Sequence, residues 1–277
     1  MTLFDKNIHR DEFRLRILMT DGCNKSCSFC LNDFQPKPKG KPKFICHSDA
    51  WSAITTYCAL MQMNKRQPVV TFSGGEPGIH PSIHDILATA RRHGAFVKVV
   101  TNGTALYLSE LRNFVDCWHV SVTGKSQEII DFLKYNPGYN VQIQHVVNHG
   151  EYPWRLYAAE ALYDLVRFYG AHELPIKLWV NFFDSPGRQE TSRKLIEHTA
   201  ALFPKFEIKS RFTGKQENRG EACSDCRKDC VTLKALWVFP DGTASTCPQG
   251  IKERRKPISW WKTMERAYKL HMSGGRR

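Results

Sequence analysis

The sequence is short of acidic residues, of long apolar runs and of repeats. Its 277 residues carry 27 acidic against 40 basic side chains, a formal charge of +13. That balance disfavours polycationic partners such as aminosugars and favours anionic ones. No apolar run reaches the ~18–20 residues of a membrane-spanning helix. Residues 1–10 are polar, with charges of both signs and no apolar leader. A soluble cytoplasmic protein with reduced thiols and no membrane partner is expected. The absence of internal repeats or low-complexity tracts excludes a solenoid.

What the chain does have is ten cysteines. In a reducing compartment they do not read as a disulfide framework. Seven fall into two groups, Cys23, Cys27 and Cys30, then Cys223, Cys226, Cys230 and Cys247. Cys46, Cys58 and Cys117 are scattered and read as small hydrophobes. Basic runs lie at 37–43, 252–256 and 276–277; the Pro/Gly spacing of the first reads as an extended, solvated loop rather than a phosphate groove, with nucleic acid a less favoured alternative.

Short β-branched or aromatic runs alternate with segments of helical period, the pattern of βα units on a parallel sheet. Six units are expected, with strands at 13–20, 69–73, 95–101, 118–122, 141–147 and 176–183. Helices are expected at 48–62, 83–93, 107–113, 127–133, 154–169 and 189–202, the first capped by Ser48. Beyond 202 the alternation stops. Residues 206–211 suggest a strand, and 233–239 with 243–246 a hairpin around Asp241-Gly242. A second, smaller domain at 186–277 is therefore expected to follow a first at 1–185.

The first group, Cys23-Asn24-Lys25-Ser26-Cys27-Ser28-Phe29-Cys30, follows the first expected strand. A [4Fe–4S] cube held by three cysteines keeps one iron without a protein ligand. A loop at the carboxyl end of a parallel strand faces the active site of such folds. Zinc is the alternative; it needs a fourth ligand, for which Cys46 or His47 stand far along a Lys/Pro-rich loop.

This Cys-x3-Cys-x2-Cys motif, with aromatic Phe29 before the third cysteine, resembles the radical S-adenosylmethionine (SAM) superfamily. Ser73-Gly74-Gly75-Glu76-Pro77, at the end of the second strand, is similar to the GGE motif of that family. The resemblance implies that Gly74, Gly75 and Glu76 contact the SAM amino group. The third strand ends Thr101-Asn102-Gly103-Thr104, similar to the branch that includes molybdenum cofactor biosynthesis and peptide-modifying enzymes. The fourth ends Ser121-Val122-Thr123-Gly124, where Thr123 replaces an aspartate common in relatives; Ser121 remains an implied SAM contact. Gln142 and Gln144 share one strand face by alternation, and Gln144 and Asn181 are candidates for SAM or substrate contacts, with Asp184 and His145 close by. The fold implied is α/β, a partial (β/α)6 radical SAM barrel with a small C-terminal α+β cysteine-rich domain. The cofactors implied are a [4Fe–4S] cluster on Cys23, Cys27 and Cys30, and SAM. The redox partner implied is a reductant such as flavodoxin or ferredoxin.

The late group, Cys223-x2-Cys226-x3-Cys230 and, sixteen residues on, Cys247, offers four thiolates. These suit an auxiliary [4Fe–4S] cluster or one zinc ion. The resemblance favours the cluster, since cysteines bracketing a C-terminal hairpin are similar to a twitch or SPASM domain. Alternatively, three bind a cluster while Cys247 gives a hydrogen atom to a substrate radical. The function expected is reductive cleavage of SAM to a 5′-deoxyadenosyl radical that abstracts hydrogen from a small anionic substrate, with oxidation or epimerisation aided by the auxiliary cluster. Radical SAM modification of a peptide or RNA, and a non-enzymatic zinc or redox module, are the alternatives.

Overall fold

The computed structural model describes residues 13–27, 41–147, 155–180, 186–211, 235–246 and 256–272. Strands form where the β-branched runs lie: β1 (Arg14–Leu18), β2 (Val69–Ser73), β3 (Phe96–Thr101), β4 (Cys117–Ser121), β5 (Val141–Val147) and β6 (Ile176–Val180). They pair in parallel in the order in which they occur. Because each crossover takes the same hand, this sequential order sends the connecting helices to one face. These are α1 (His47–Met63), α2 (Ile83–Arg92), α3 (Gln127–Tyr135), α4 (Arg155–Gly170) and α5 (Pro186–Leu202). The result is the expected α/β architecture, a parallel sheet consistent with a partial barrel.

Alternation along the strands sorts the two faces. Leu15, Ile17, Val70, Phe72, Val97, Val99, Val120, Ile143 and Leu178 join one apolar core with residues of the helices, such as Ile54, Leu87, Leu165 and Ile196. The intervening residues, including Arg16, Thr71, Lys98, His119, Gln144 and Lys177, occupy the opposite, inner face. No helix among the described residues is long and apolar enough to cross a membrane.

Elements from the expected C-terminal domain extend the same sheet. Strand β7 (Ile208–Arg211) lies parallel to β6, and β8 (Ala235–Val238) parallel to β1, with β9 (Ala244–Ser245) antiparallel beyond it. The Asp-Gly hairpin forms as expected: Gly242 has φ +74°, and Asp241 Oδ1 accepts from the Thr243 amide at 3.0 Å. Helix α6 (Trp260–Met272), which the reading above does not contain, packs Met264 and Ala267 into the core. Its Tyr268 lies edge-on to Phe13, with ring centroids 5.9 Å apart. The late cysteines lie outside the described residues.

Two local expectations fail. The helix expected at 107–113 is instead two 3-10 turns, Thr104–Tyr107 and Ser109–Phe114, separated by Leu108 at ψ 89°. A non-helical residue between them stops one turn from propagating into the next. Helix α1 starts one residue earlier than expected, with extended Cys46 at the cap position; the Ser48 hydroxyl meets the Cys46 sulfur at 3.1 Å instead of capping the helix.

Tyr57 links α1 to the starts of two strands. Its buried hydroxyl donates to the Phe13 carbonyl at 2.8 Å and accepts from the Val69 amide at 3.1 Å. Tyr57→Phe leaves both backbone groups without that partner, and should lower stability by about 1–3 kcal/mol in a denaturant titration.

Candidate functional site

The carboxyl end of β1 carries Cys23, and the backbone fixes it there from two sides. The Met19 amide bonds Ser73 O at 2.7 Å, Gly75 N bonds Thr20 O at 2.7 Å and Glu76 N bonds Gly22 O at 2.9 Å. The segment entering the cysteine loop thus runs directly against Gly74, Gly75 and Glu76. Gly74 has φ +129°, and a Cβ on Gly75 would overlap the Gly22 carbonyl, so both positions require glycine. On the returning side, Thr20 Oγ1 donates to Lys43 O at 2.7 Å, Lys43 N to Asp21 Oδ1 at 2.7 Å and Ile45 N to Met19 O at 2.9 Å. Lys43 and Ile45 therefore hold the entry to the cysteine loop at its base.

Glu76 is fully buried, and its carboxylate faces protein donors. Oε1 accepts from Thr101 Oγ1 at 2.7 Å, Gly78 N at 2.9 Å and Ala105 N at 3.3 Å, while Oε2 accepts from Asn102 N at 2.7 Å. A buried carboxylate needs such donors to stay charged. Its contribution here is to join the ends of β2 and β3.

Asn102, fixed by that bond, reaches the cysteine loop. Its Nδ2 donates to Asn24 Oδ1 at 2.8 Å and to Cys23 Sγ at 3.5 Å, and Lys25 N donates to the same sulfur at 3.4 Å. Asn24 Nδ2 in turn donates to Thr104 Oγ1 at 2.9 Å, and Lys25 Nζ to Asn102 O at 3.0 Å. N–H groups aimed at a cysteine sulfur are the kind of support that a metal-ligating sulfur receives. Asn24, Lys25 and Thr104 were not singled out from the sequence; the signal available was their place inside the two motifs.

The other candidates divide. Ser121 is exposed at the end of β4 and lies beside Gln144 in register. Gln144 meets His119 Nδ1 at 2.5 Å on the inner face. His119 was missed, although its alternation with Cys117 and Ser121 marks it. Its ring stays neutral, held well below the ordinary value by burial first and then by Lys177, Lys98, Arg16 and Arg14. His145 faces the helices and bonds Val122 O at 3.0 Å. Tyr169 of α4 donates to Gly124 O at 2.9 Å, and burial pushes its phenol up to about 12. Phe29, Cys30, Asn181, Asp184, Cys223, Cys226, Cys230 and Cys247 lie outside the described residues. Among the described residues no three His, Cys, Asp or Glu side chains cluster as a metal site. Cys23 and Cys27 are present in the described part of the loop.

Against known proteins, residues 17–148 match the Radical SAM superfamily. GTP 3′,8-cyclase of Stenotrophomonas maltophilia (strain K279a) is 33% identical over 94 residues, covering 33% of this chain and 27% of the cyclase. PqqA peptide cyclase of Streptomyces rochei is 32% identical over 93 residues, covering 32% of this chain and 23% of that enzyme. An S-adenosylmethionine-dependent nucleotide dehydratase of Lacinutrix mariniflava is 28% identical over 181 residues, covering 56% of this chain and 37% of the dehydratase. The matches thus span only about a quarter to a third of the length of these relatives. In structure, Streptococcus suis SuiB bound to S-adenosylmethionine superposes with a TM-score of 0.65 at 13% identity, over 88% of this chain and 63% of SuiB. That likeness is one of fold.

Gly75→Ala should force Gly22 away and displace Cys23. Iron bound after anaerobic reconstitution should fall by about half or more, whereas Gly124→Ala, where a Cβ meets nothing within 4 Å, should bind iron normally.

A pH dependence follows from His80. Buried, it bonds Ile45 O through Nε2 and accepts from Ser82 N through Nδ1, each at 3.0 Å. Burial holds it below its ordinary 6.5, as it does His119. Protons therefore bind the unfolded chain more readily, so the stability is full above pH 6.5 and falls on acidification. The Tm should drop between about pH 7.5 and about pH 5.5, and drop less steeply in the double variant His80→Gln, His119→Gln.

Proposed function

We propose, from the match of residues 17–148 to the Radical SAM superfamily, that this chain is a radical SAM enzyme acting on a small anionic substrate by hydrogen abstraction. The observation that carries the reading is the contact of Asn102 and the Gly74, Gly75 and Glu76 segment with the Cys23 loop. Cys23, Cys27 and Cys30 would hold a [4Fe–4S] cluster, which would supply the electron that cleaves SAM to methionine and a 5′-deoxyadenosyl radical.

The chain's own residues do the rest. Glu76 ties the strand ends together and sets Asn102, which with Lys25 N supports the Cys23 sulfur. Ser121, exposed at the end of β4, and Gln144, beside it on the inner face, are polar groups that would be offered to SAM or substrate. Asn181 and Phe29 extend that set by motif position. The packed helical face keeps water from the back of the sheet, so the inner face is where a substrate is screened.

Cys223, Cys226, Cys230 and Cys247 are assigned to an auxiliary [4Fe–4S] cluster in the C-terminal part, 186–277. Four cysteines would suit a cluster that relays an electron from a product radical, and hence oxidation. If Cys247 instead stays free, its S–H would give a hydrogen atom to the substrate radical in an epimerisation, and the thiyl radical left on Cys247 would take an electron from the reductant and a proton before the next turnover. A peptide substrate is the second reading, favoured by the similarity to a PqqA peptide cyclase.

Anaerobic reconstitution should yield about eight iron and eight sulfide per chain, with reductant-dependent SAM cleavage. Cys27→Ala should abolish that cleavage. Cys226→Ala should cleave SAM without forming product. Intact cleavage in Cys27→Ala, or two bound zinc ions and no cleavage, overturns the reading.

A further inference from the structure

Gly103 has φ +112°, a conformation that glycine adopts freely, and the turn it makes returns the Thr104 amide to Asn102 Oδ1 at 3.2 Å. Thr104 Oγ1 donates to the same oxygen at 2.9 Å and accepts from Asn24 Nδ2, also at 2.9 Å. Asn24 Oδ1 in turn accepts from Asn102 Nδ2 at 2.8 Å. Three side chains thus close a ring in which each donates to the next, Thr104 to Asn102, Asn102 to Asn24 and Asn24 to Thr104. Asn24 is exposed and the other two are half-buried, so any one of these bonds alone would exchange readily with water. Closure lets each bond polarise the next and holds the three groups as a unit.

The ring fixes where one further N–H points. An asparagine amide has two N–H groups and an oxygen with two lone pairs. In Asn102 the oxygen meets Thr104 N and Oγ1, one N–H meets Asn24, and the second is aimed at Cys23 Sγ at 3.5 Å. Exchanging the amide nitrogen and oxygen would set N–H against the Thr104 amide, so the network itself decides which atom faces the sulfur. With these four positions used, the side chain has no group left for SAM. The Cys23 sulfur also accepts from Lys25 N at 3.4 Å. Its contact with Asn24 Oδ1 at 4.0 Å needs the thiol proton, which a metal-bound sulfur lacks.

We propose that the ring of Asn24, Thr104 and Asn102 sets the reduction potential of the cluster on the Cys23 loop, through the N–H that Asn102 aims at the Cys23 sulfur. An added electron makes the cluster and its ligating sulfurs more negative. An N–H with its positive end towards a sulfur stabilises that reduced form more than the oxidised one, and so raises the potential. Asn102 and Thr104 act through the sulfur and are positioning residues. The bond from Asn102 N to Glu76 is a backbone bond, so a change of the Asn102 side chain removes the N–H donor without releasing the strand ends. The inference rests on the radical SAM reading of the loop.

The test is an anaerobic redox titration of the reconstituted full chain, followed by electron paramagnetic resonance; the signal that changes on adding SAM identifies the cluster on the Cys23 loop. In Asn102→Leu, titrated without SAM, the ratio of reduced to oxidised cluster at a fixed potential should fall about tenfold, ~59 mV for one electron. The loss is partial because the Lys25 amide remains. Thr104→Val, which keeps Asn102 but removes both hydroxyl bonds, should lower the ratio about threefold. Lys194→Gln, exposed on α5, should leave it unchanged. SAM should bind loaded Asn102→Leu within about twofold of wild type. An unmoved or raised potential in loaded Asn102→Leu, or SAM affinity lowered by about tenfold with the potential unmoved, overturns the proposal. If Asn102→Leu takes up no cluster, Thr104→Val decides; loss of the cluster in both shows that the ring only builds the loop, and also overturns it. A wild type that binds zinc instead of iron sinks the radical SAM reading itself, whereas a wild-type cluster whose potential no ring variant moves sinks this inference alone.

Discussion

The buried carboxylate of Glu76 is the contact on which the strand-end loops depend. Stripped of water, that charge would be strongly unfavourable without hydrogen bonds, and the chain surrounds it with Thr101 Oγ1 and the amides of Gly78, Asn102 and Ala105. Three of these donors belong to the end of β3 and the 3-10 turn after it, so the charge holds together two loops that the sheet leaves separate. The bond to Asn102 N then decides where the Asn102 side chain points. Because that side chain bonds both Asn24 and the Cys23 sulfur, the geometry of the cysteine loop is set partly from β3, 79 residues away in sequence.

The same sheet serves two chemistries because its faces are sorted. Sequential parallel order places the carboxyl ends of β1 to β6 on one rim, and their connecting helices on one side. The apolar alternation is spent on the helical side. Polar and basic residues accumulate on the other, where the aromatic rings under Arg16, Lys98 and Lys177 hold the heads in position. A rim that gathers the cysteine loop and a wall that gathers basic residues are thus consequences of one topology.

Much of this was legible in the sequence. The period of the runs at 69–73 and 141–147 gives β2 and β5 at those bounds, and Asp241-Gly242 marks its hairpin because few other residue pairs supply the turn. Cys23, Gly74, Gly75, Glu76 and Asn102 meet because they end consecutive parallel strands. What was not legible depends on distant partners. That β8 docks beside β1, more than 200 residues away, carries no local signal. Helix α6 did carry one, in the spacing of Trp260, Met264, Ala267 and Tyr268. The Glu76 carboxylate reads from its motif as a ligand group, yet tertiary packing turns it inward. Ser48 has the chemistry of a cap, but α1 begins a residue too early for its hydroxyl to reach an open amide.

His119 and Gln144 lie between the rim and the basic wall. Gln144 lies in register between Ser121 and Lys177, and its side chain meets His119, whose neutrality burial enforces first and the surrounding cations second. A neutral imidazole adds no further positive charge while still offering hydrogen bonds, so the pair presents polar, uncharged groups beside Ser121. The basic residues of the same face supply charge and this pair supplies direction, because a hydrogen bond fixes an angle that a charge alone does not.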